Sequence, residues 1–215
     1  MAGDSAAQVT ARRRRDPAGR RREIVEAAAA LVIEVGLGGL THRMVANRAQ
    51  VALGSTTHYF ATLDDLREAA LRHLADQVDS GLAEVKRSLD EHGADPAVLA
   101  EALFAYLADT HLVRADTCLL SAAVVDPHFR SLALQTFDRL VALMSAYVGV
   151  REATAVAVFA QGAAAHAALH EEPLDVASLT EVIARLLAAT GECAGGGDGN
   201  GNGNGNGNGN GNGNG

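Results

Sequence analysis

The side chains best suited to recognition chemistry fall in one uncharged stretch, VALGSTTHYF, at positions 51 to 60. Ser55, Thr56 and Thr57 each carry a hydroxyl that donates and accepts, His58 adds an imidazole, and Tyr59 a phenol on an aromatic body. Such groups read base edges and thymine methyls in a major groove, and a tyrosine or histidine tip can meet a phosphate. A second set, Asp116, Cys118, Asp126 and His128, mixes a thiol, carboxylates and an imidazole. A nucleophile needs a base held against it and an oxyanion site, and no strand-turn-helix elbow surrounds these residues, so an enzyme is not expected. In HAALH, His166 and His170 are four apart, the spacing that puts two imidazoles on one helix face. Without the glutamate of an HExxH motif or a cysteine cluster, this pair reads as part of a dimer face or pocket. No metal and no other cofactor is expected.

The elements that position these groups follow from composition. Hydrophobic residues make up 48% of the 215, aromatics only 4%, and there is no Trp. The apolar mass is mostly Ala, Leu and Val with few prolines, a mixture that favours an all-α chain with a real core. Cys118 and Cys193 are far apart and show no CxxC spacing, which suits a reducing compartment. Neither a signal-peptide core nor a run near the roughly 18 apolar residues of a membrane span is present, so a cytoplasmic protein with no membrane partner is expected. The formal charge of -8 hides an asymmetry: residues up to Phe60 sum to +4 and the remainder to -12. That split points to nucleic-acid contact by one end.

Residues 1–19 read as a disordered basic arm containing Arg12 to Arg15. A helical period then places Ile24, Ala27, Ala28, Leu31, Val32 and Val35 on one face, and GLGGL ends it. Thr41 caps a second helix with Met44, Val45, Ala46 and Ala49 inward, and a turn near Gln50 and Val51 opens a third. Thr62 and Asp65 form a capping box for a long helix carrying Leu71, Leu74, Val78, Leu82, Val85 and Leu89. Asp95-Pro96 opens a helix to about Leu112, followed by a short piece from Thr117 to Val125. Asp126-Pro127 opens a helix to about Tyr147, Arg151 opens one ending before Pro173, and Asp175 caps the last, with Leu179, Val182, Ile183, Leu186 and Leu187 inward. That makes about nine helices. The Gly/Asn tail, 193–215, reads as flexible coil.

Three short helices with a tight turn before the last describe a helix-turn-helix unit. Ala46 takes the close-approach position, Val51 follows the turn, and Ser55, Thr56, Thr57 and His58 form the outward face. Arg12 to Arg15, Arg20 to Arg22, Arg43 and Arg48 supply sequence-independent attraction. The block REIVEAAAALVIEVGLGGLTHRMVANRAQVALGSTTHYFATLDDL, with its HYF followed by a capping Thr and an acidic pair, resembles the DNA-binding region of the TetR family of bacterial transcriptional regulators over roughly residues 20 to 66.

That resemblance implies an all-helical homodimer. A three-helix DNA-binding domain (20–66) would join a helical regulatory and dimerisation domain (67–192) that holds a small-molecule pocket. It implies that Thr41, His58 and Tyr59 meet phosphates, that Ser55, Thr56 and Thr57 face bases, and that Gly54 lets the backbone come close. Arg20, Arg21 and Arg43 join the DNA-contacting set. The chain departs from the pattern at three positions. Gln50 stands at the turn glycine, for a strain of about 1 kcal/mol if its φ is positive. Ala52 replaces a capping Ser, for about 1 kcal/mol, and Leu63 replaces a phosphate-binding Lys. For the pocket, the sparse aromatic, thioether and polar residues of the second half are the candidates: Phe104, His111, Cys118, Phe137, Met144, Phe159, Gln161 and His166, facing an apolar or amphipathic ligand. The small-residue run TAVAVFAQGAAAHAALH, with the final helix, is the expected dimer interface across a two-fold axis. The expected activity is repression at a palindromic double-stranded operator, relieved by a small molecule. A ligand- or partner-binding helical dimer with weak or lost sequence-specific DNA contact stays open as the alternative.

Overall fold

The computed structural model describes residues 16–170 and 172–188, so the expectations for most of the basic arm and for the Gly/Asn tail lie outside the described residues. Ten α-helices and two 3-10 turns follow one another, with no strand among the described residues: α1 (Pro17–Val35), a turn at Leu37–Gly39, α2 (His42–Arg48), α3 (Leu53–Tyr59), α4 (Leu63–Ser80), α5 (Leu82–His92), α6 (Pro96–Ala108), α7 (Thr110–Val125), a turn at Pro127–Phe129, α8 (Arg130–Val148), α9 (Val150–Leu169) and α10 (Val176–Ala188).

Short polar side chains start most of them, each accepting from a backbone N–H that the first helical turn leaves unpaired. Asp16 accepts from Gly19 at 2.8 Å, Thr41 from Met44 at 3.3 Å, and Asp95 from Ala97 at 2.8 Å. Thr62 and Asp65 close a reciprocal box at 3.0 Å each way. Asp175 receives both the amide and the hydroxyl of Ser178 at 2.9 Å.

Two boundaries differ from the periodic reading. The apolar seam from Leu71 to Leu89 continues in register, yet the helix stops at Ser80 and restarts at Leu82, because Gly81 has the weakest helix preference short of proline. The break lets one seam serve two cores. α4 buries Leu71, Leu74 and Ala75 in the first, and α5 buries Leu89 in the second. Likewise the helix from Pro96 does not reach Leu112. The Asp109 carboxylate captures the amides of His111 and Leu112 at 3.0 and 3.1 Å, so a new helix starts there at 85° to the old one. The expected short piece from Thr117 is the second half of that helix, α7.

The first core joins α1 (Ile24, Ala28, Val32) to Val45, Phe60, α4 (Leu66, Leu71, Leu74), α7 (Ala115, Leu119) and Phe129. The second joins Leu89, Leu99, Leu107, Val113, Met144, Val156, Leu179 and Ile183. α7 contributes to both. Among the described residues, no single helix is long and apolar enough to cross a membrane.

Candidate nucleic-acid interface

The turn between α2 and α3 is built by backbone geometry. After Ala49, Gln50 takes φ 54°, the one positive φ among described non-glycine residues. The Gln50 amide donates to the Asn47 carbonyl at 3.3 Å and the Val51 amide to the Ala46 carbonyl at 3.0 Å. This pair of bonds is the Schellman closure of a helix, and it needs a left-handed residue at this position. Val51 then packs against the first core, while Ala46, 2% exposed, leaves room for the close approach. α3 starts on Ala52, whose side chain makes no cap. Ala52→Ser supplies that cap and is expected to raise unfolding free energy by about 1 kcal/mol, read as a shifted denaturant midpoint at constant slope. Gln50→Gly relieves the strained φ and is expected to add up to about 1 kcal/mol in the same titration.

Burial corrects one expected contact. Thr56 is fully buried and its hydroxyl donates to the Leu53 carbonyl at 2.8 Å, so it is a core residue and not a base reader. On a helix of two turns, the residue four before the buried Phe60 shares its inward face. Thr57 and His58 are exposed and Ser55 and Tyr59 half-buried, which leaves an outward face of Ser55, Thr57 and His58 with Tyr59 at its edge. The His58 and Tyr59 rings meet edge to face at 5.2 Å. Gly54 is exposed, and a Cβ there would meet nothing within 4 Å, so the surface beside the helix start is open.

The basic residues divide by what they touch. Arg43 and Thr41 are exposed beside α3, and no ion pair holds Arg43 among the described residues. Arg21 lies over the Phe60 ring at 4.9 Å, fixing it near the C-terminal end of α3. Arg20 pairs with Glu23 at 3.6 Å. Arg48, expected to attract DNA, instead grips Glu34 with both nitrogens at 2.9 and 2.6 Å and ties α2 to α1; its hydrogen bond holds the Glu34 carboxyl below the usual range. Leu63, at the phosphate-binding lysine's place, packs against the first core. Two adjoining clefts of about 300 and 390 Å³ share Arg21, Ala69 and Arg72, and the larger reaches His58 and Tyr59.

This arrangement has solved and curated counterparts. The profile described as "Bacterial regulatory proteins, tetR family" matches residues 24–70. A solved member of the TetR family from Streptomyces coelicolor A3, SCO1917, is 36% identical, superposes with a TM-score of 0.70, and is covered over 97% of its length by 78% of this chain. The chain belongs to the TetR family. The multidrug binding protein EbrR, solved with ethidium, is 34% identical with a TM-score of 0.68 over 78% of this chain and 98% of that one. The HTH-type transcriptional regulator BetI of Burkholderia thailandensis is 40% identical over 55 residues, 26% of this chain and 28% of that protein. BetI of Cronobacter sakazakii is 31% identical over 81 residues, 38% and 40% of the two chains. The chain thus aligns with less than half the length of these curated regulators.

In this TetR-family chain the expected ligand residues do not form one cluster. Phe104, Met144 and Phe159 belong to the second core. Cys118 packs on the first, its thiol donating to the Val32 carbonyl of α1 at 3.7 Å. His111 is exposed and meets Gln77 of α4 at 3.3 Å, and Phe137 belongs to neither core. His166 stacks on His170 with centroids 4.0 Å apart. Gln161 leads to Asp116, which is not among the expected pocket residues. The Gln161 amide donates to Asp116 at 2.9 Å, and the Tyr106 phenol is near enough to that carboxyl to lower its pKa. The set Asp116, Cys118, Asp126 and His128 is dispersed: His128 lies on Glu68 at 3.6 Å, and the Asp126 carboxylate caps the turn at Pro127–Phe129 by accepting from the His128 amide.

Burial pushes the Asp116 carboxyl above its ordinary value, against the opposing pull of Gln161 and Tyr106. The folded protein therefore holds this proton more tightly than the unfolded chain does. This group contributes most below the unfolded carboxyl's pKa and loses that contribution as pH rises through the raised one. Asp116→Asn is expected to raise Tm at neutral pH, with the difference closing as pH is lowered toward 4 (about the unfolded value).

Proposed function

We propose that the protein is a homodimeric transcriptional repressor of the cytoplasm that binds a pseudo-palindromic duplex operator and is released by a small organic ligand. The outward face of α3 carries this reading: hydroxyl and imidazole groups stand on a helix seated by the Schellman turn, with Arg43 and Arg21 beside it for phosphate. Residues 1–19 serve as a basic arm on the duplex, 20–66 as the reading domain and 67–192 as the regulatory and dimerisation domain.

The dimer reading is supported by α9, where Thr154, Val158, Gly162, Ala165 and Leu169 follow three- and four-residue steps and are all exposed. Leu169 is 84% exposed and Val158 59%, surface that a second copy would cover. Of the final helix, Leu179 and Ile183 are already buried within one protomer, so α9 supplies most of the proposed contact. EbrR has been solved with imidazole, malachite green, proflavin and ethidium, which supports a small organic effector in the helical body. Release then requires that the effector bind the DNA-incompatible arrangement more tightly than the other.

Selection of bound duplexes from a random library tests the reading. Recovery of an inverted repeat with half-sites about one helical turn apart is the expected result. Duplex binding without sequence preference would favour a ligand-binding dimer instead.

A further inference from the structure

We propose that the groove between α1 and α4, beside the C-terminal end of α3, binds a nucleotide-like ligand, an aromatic ring that carries phosphate, and that its occupancy excludes duplex DNA; the second half rests on the regulator reading above. α1 presents Ala18, Arg21 and Val25 at three- and four-residue steps, and α4 presents Ala69, Arg72 and Asp76 at the same steps, so one face of each helix lines the groove. With alanines at 18 and 69, the space between the helices stays open as the two adjoining clefts of about 300 and 390 Å³.

The two clefts differ in charge. The smaller is lined by three guanidinium groups, Arg21, Arg22 and Arg72, against one carboxylate, Asp76. Arg21 and Arg22 are exposed and enter no ion pair among the described residues. Arginine forks meet phosphate oxygens two at a time, which makes this end the place for the anion. The larger cleft holds two guanidinium groups and two carboxylates, and both carboxylates are already engaged. Asp65 accepts from the Thr62 amide at 3.0 Å, and Glu68 accepts from Arg72 at 2.6 Å. What this cleft adds is ring surface, from His58 and Tyr59 and from the Arg21 guanidinium held over Phe60. A planar aromatic ligand stacks on such surfaces. Arg21 and Arg72, common to both clefts, stand where ring and phosphate would join.

Bare phosphate, free or in a duplex backbone, would fill the smaller cleft and leave the larger unused. An aromatic molecule without phosphate would leave three guanidinium groups unanswered. A nucleoside diphosphate spans both. The consequence for DNA follows from shared side chains: Arg21, His58 and Tyr59 belong both to the expected duplex contacts and to the groove, so they serve one partner at a time. The groove is separate from the effector proposed for the helical body, since its lining residues lie on α1, α3, α4 and the link between the last two.

The test is calorimetry on the full chain, free of divalent metal, with ADP, adenosine and inorganic pyrophosphate. ADP is expected to bind about ten times more tightly than either fragment, or better. Arg72→Ala, outside the expected duplex contacts, should weaken ADP binding about tenfold and leave duplex affinity unchanged. In the unmodified protein ADP should displace a duplex selected from the random library, and pyrophosphate at the same concentration should displace less, a readout that does not depend on how well the variant folds. ADP binding no tighter than pyrophosphate, an unchanged ADP affinity in Arg72→Ala, or ADP and duplex bound together at undiminished affinity would overturn the inference. Duplex binding on the same preparations separates the two readings: retained duplex binding without preference for ADP sinks the groove alone, whereas absent duplex binding with ADP held as expected sinks the regulator and not the site.

Discussion

Leu71→Ala is expected to lower the unfolding free energy by about 2–5 kcal/mol, in one transition that removes structure on both sides of residue 66 together. Leu71 is fully buried on α4, in a core that runs from α1 and Phe60 through Leu66 and Leu74 to Ala115 and Leu119 of α7. A cavity there leaves neighbours from the recognition unit and from the helical body without partners at once. Against a typical total of about 5–15 kcal/mol, that is a large fraction. With no Trp in the chain, tyrosine signals report the unfolding: Tyr59 packs on the first core, and Tyr106 and Tyr147 on the second. Coincident loss of all three signals in urea is the expected result. Separate transitions, with only one moved by Leu71→Ala, would show that the two cores fold independently. Leu134→Ala, at a position 50% exposed, serves as the control and should stay within about 0.5 kcal/mol.

Thr57→Ala is expected to weaken binding to the selected operator by about 1–3 kcal/mol and to relax preference at the base it faces, whereas His58→Ala, at a phosphate, weakens all duplexes alike. Both side chains are exposed on α3, and the Thr57 hydroxyl donates to the Gly54 carbonyl at 3.3 Å, a long bond that a base edge can replace. Arg43→Ala should resemble His58→Ala in this respect. As a phosphate contact it weakens all duplexes alike and lowers the salt slope by about 1. Thr56→Val, by contrast, keeps the buried shape and should leave operator choice unchanged while altering stability, because that side chain faces the core. Quantitative binding to a panel of single-base operator variants at two salt concentrations distinguishes all four. A Thr57 variant with undiminished selectivity would remove α3 as the reader.

These expectations rest on features of unequal visibility in the chain. Thr41, Thr62, Asp95, Asp126 and Asp175 announce helix starts because a short oxygen-bearing side chain satisfies amides within three residues, a relation that is complete locally. The turn at Gln50 was legible for the same reason, its closing bonds spanning Ala46 to Val51. The periods of α1, α4 and α10 likewise name their own buried faces, as Ile24, Leu71 and Ile183 bear out. Capping competed with periodicity at Asp109 and Gly81, and there the weaker-looking local signal won.

Sequence alone therefore determined the all-helical class, the recognition unit and the order of its parts, since each depends on contacts a few residues apart. Tertiary structure decided that Thr56 turns inward, since a two-turn helix has too few residues for its period to single out a face before Phe60 and the first core claim one. It also decided that Asp116 meets Gln161, 45 positions away, and Tyr106, because three helices must pack before those polar groups share one site. Local chemistry encodes where helices begin, and packing chooses which of their side chains meet.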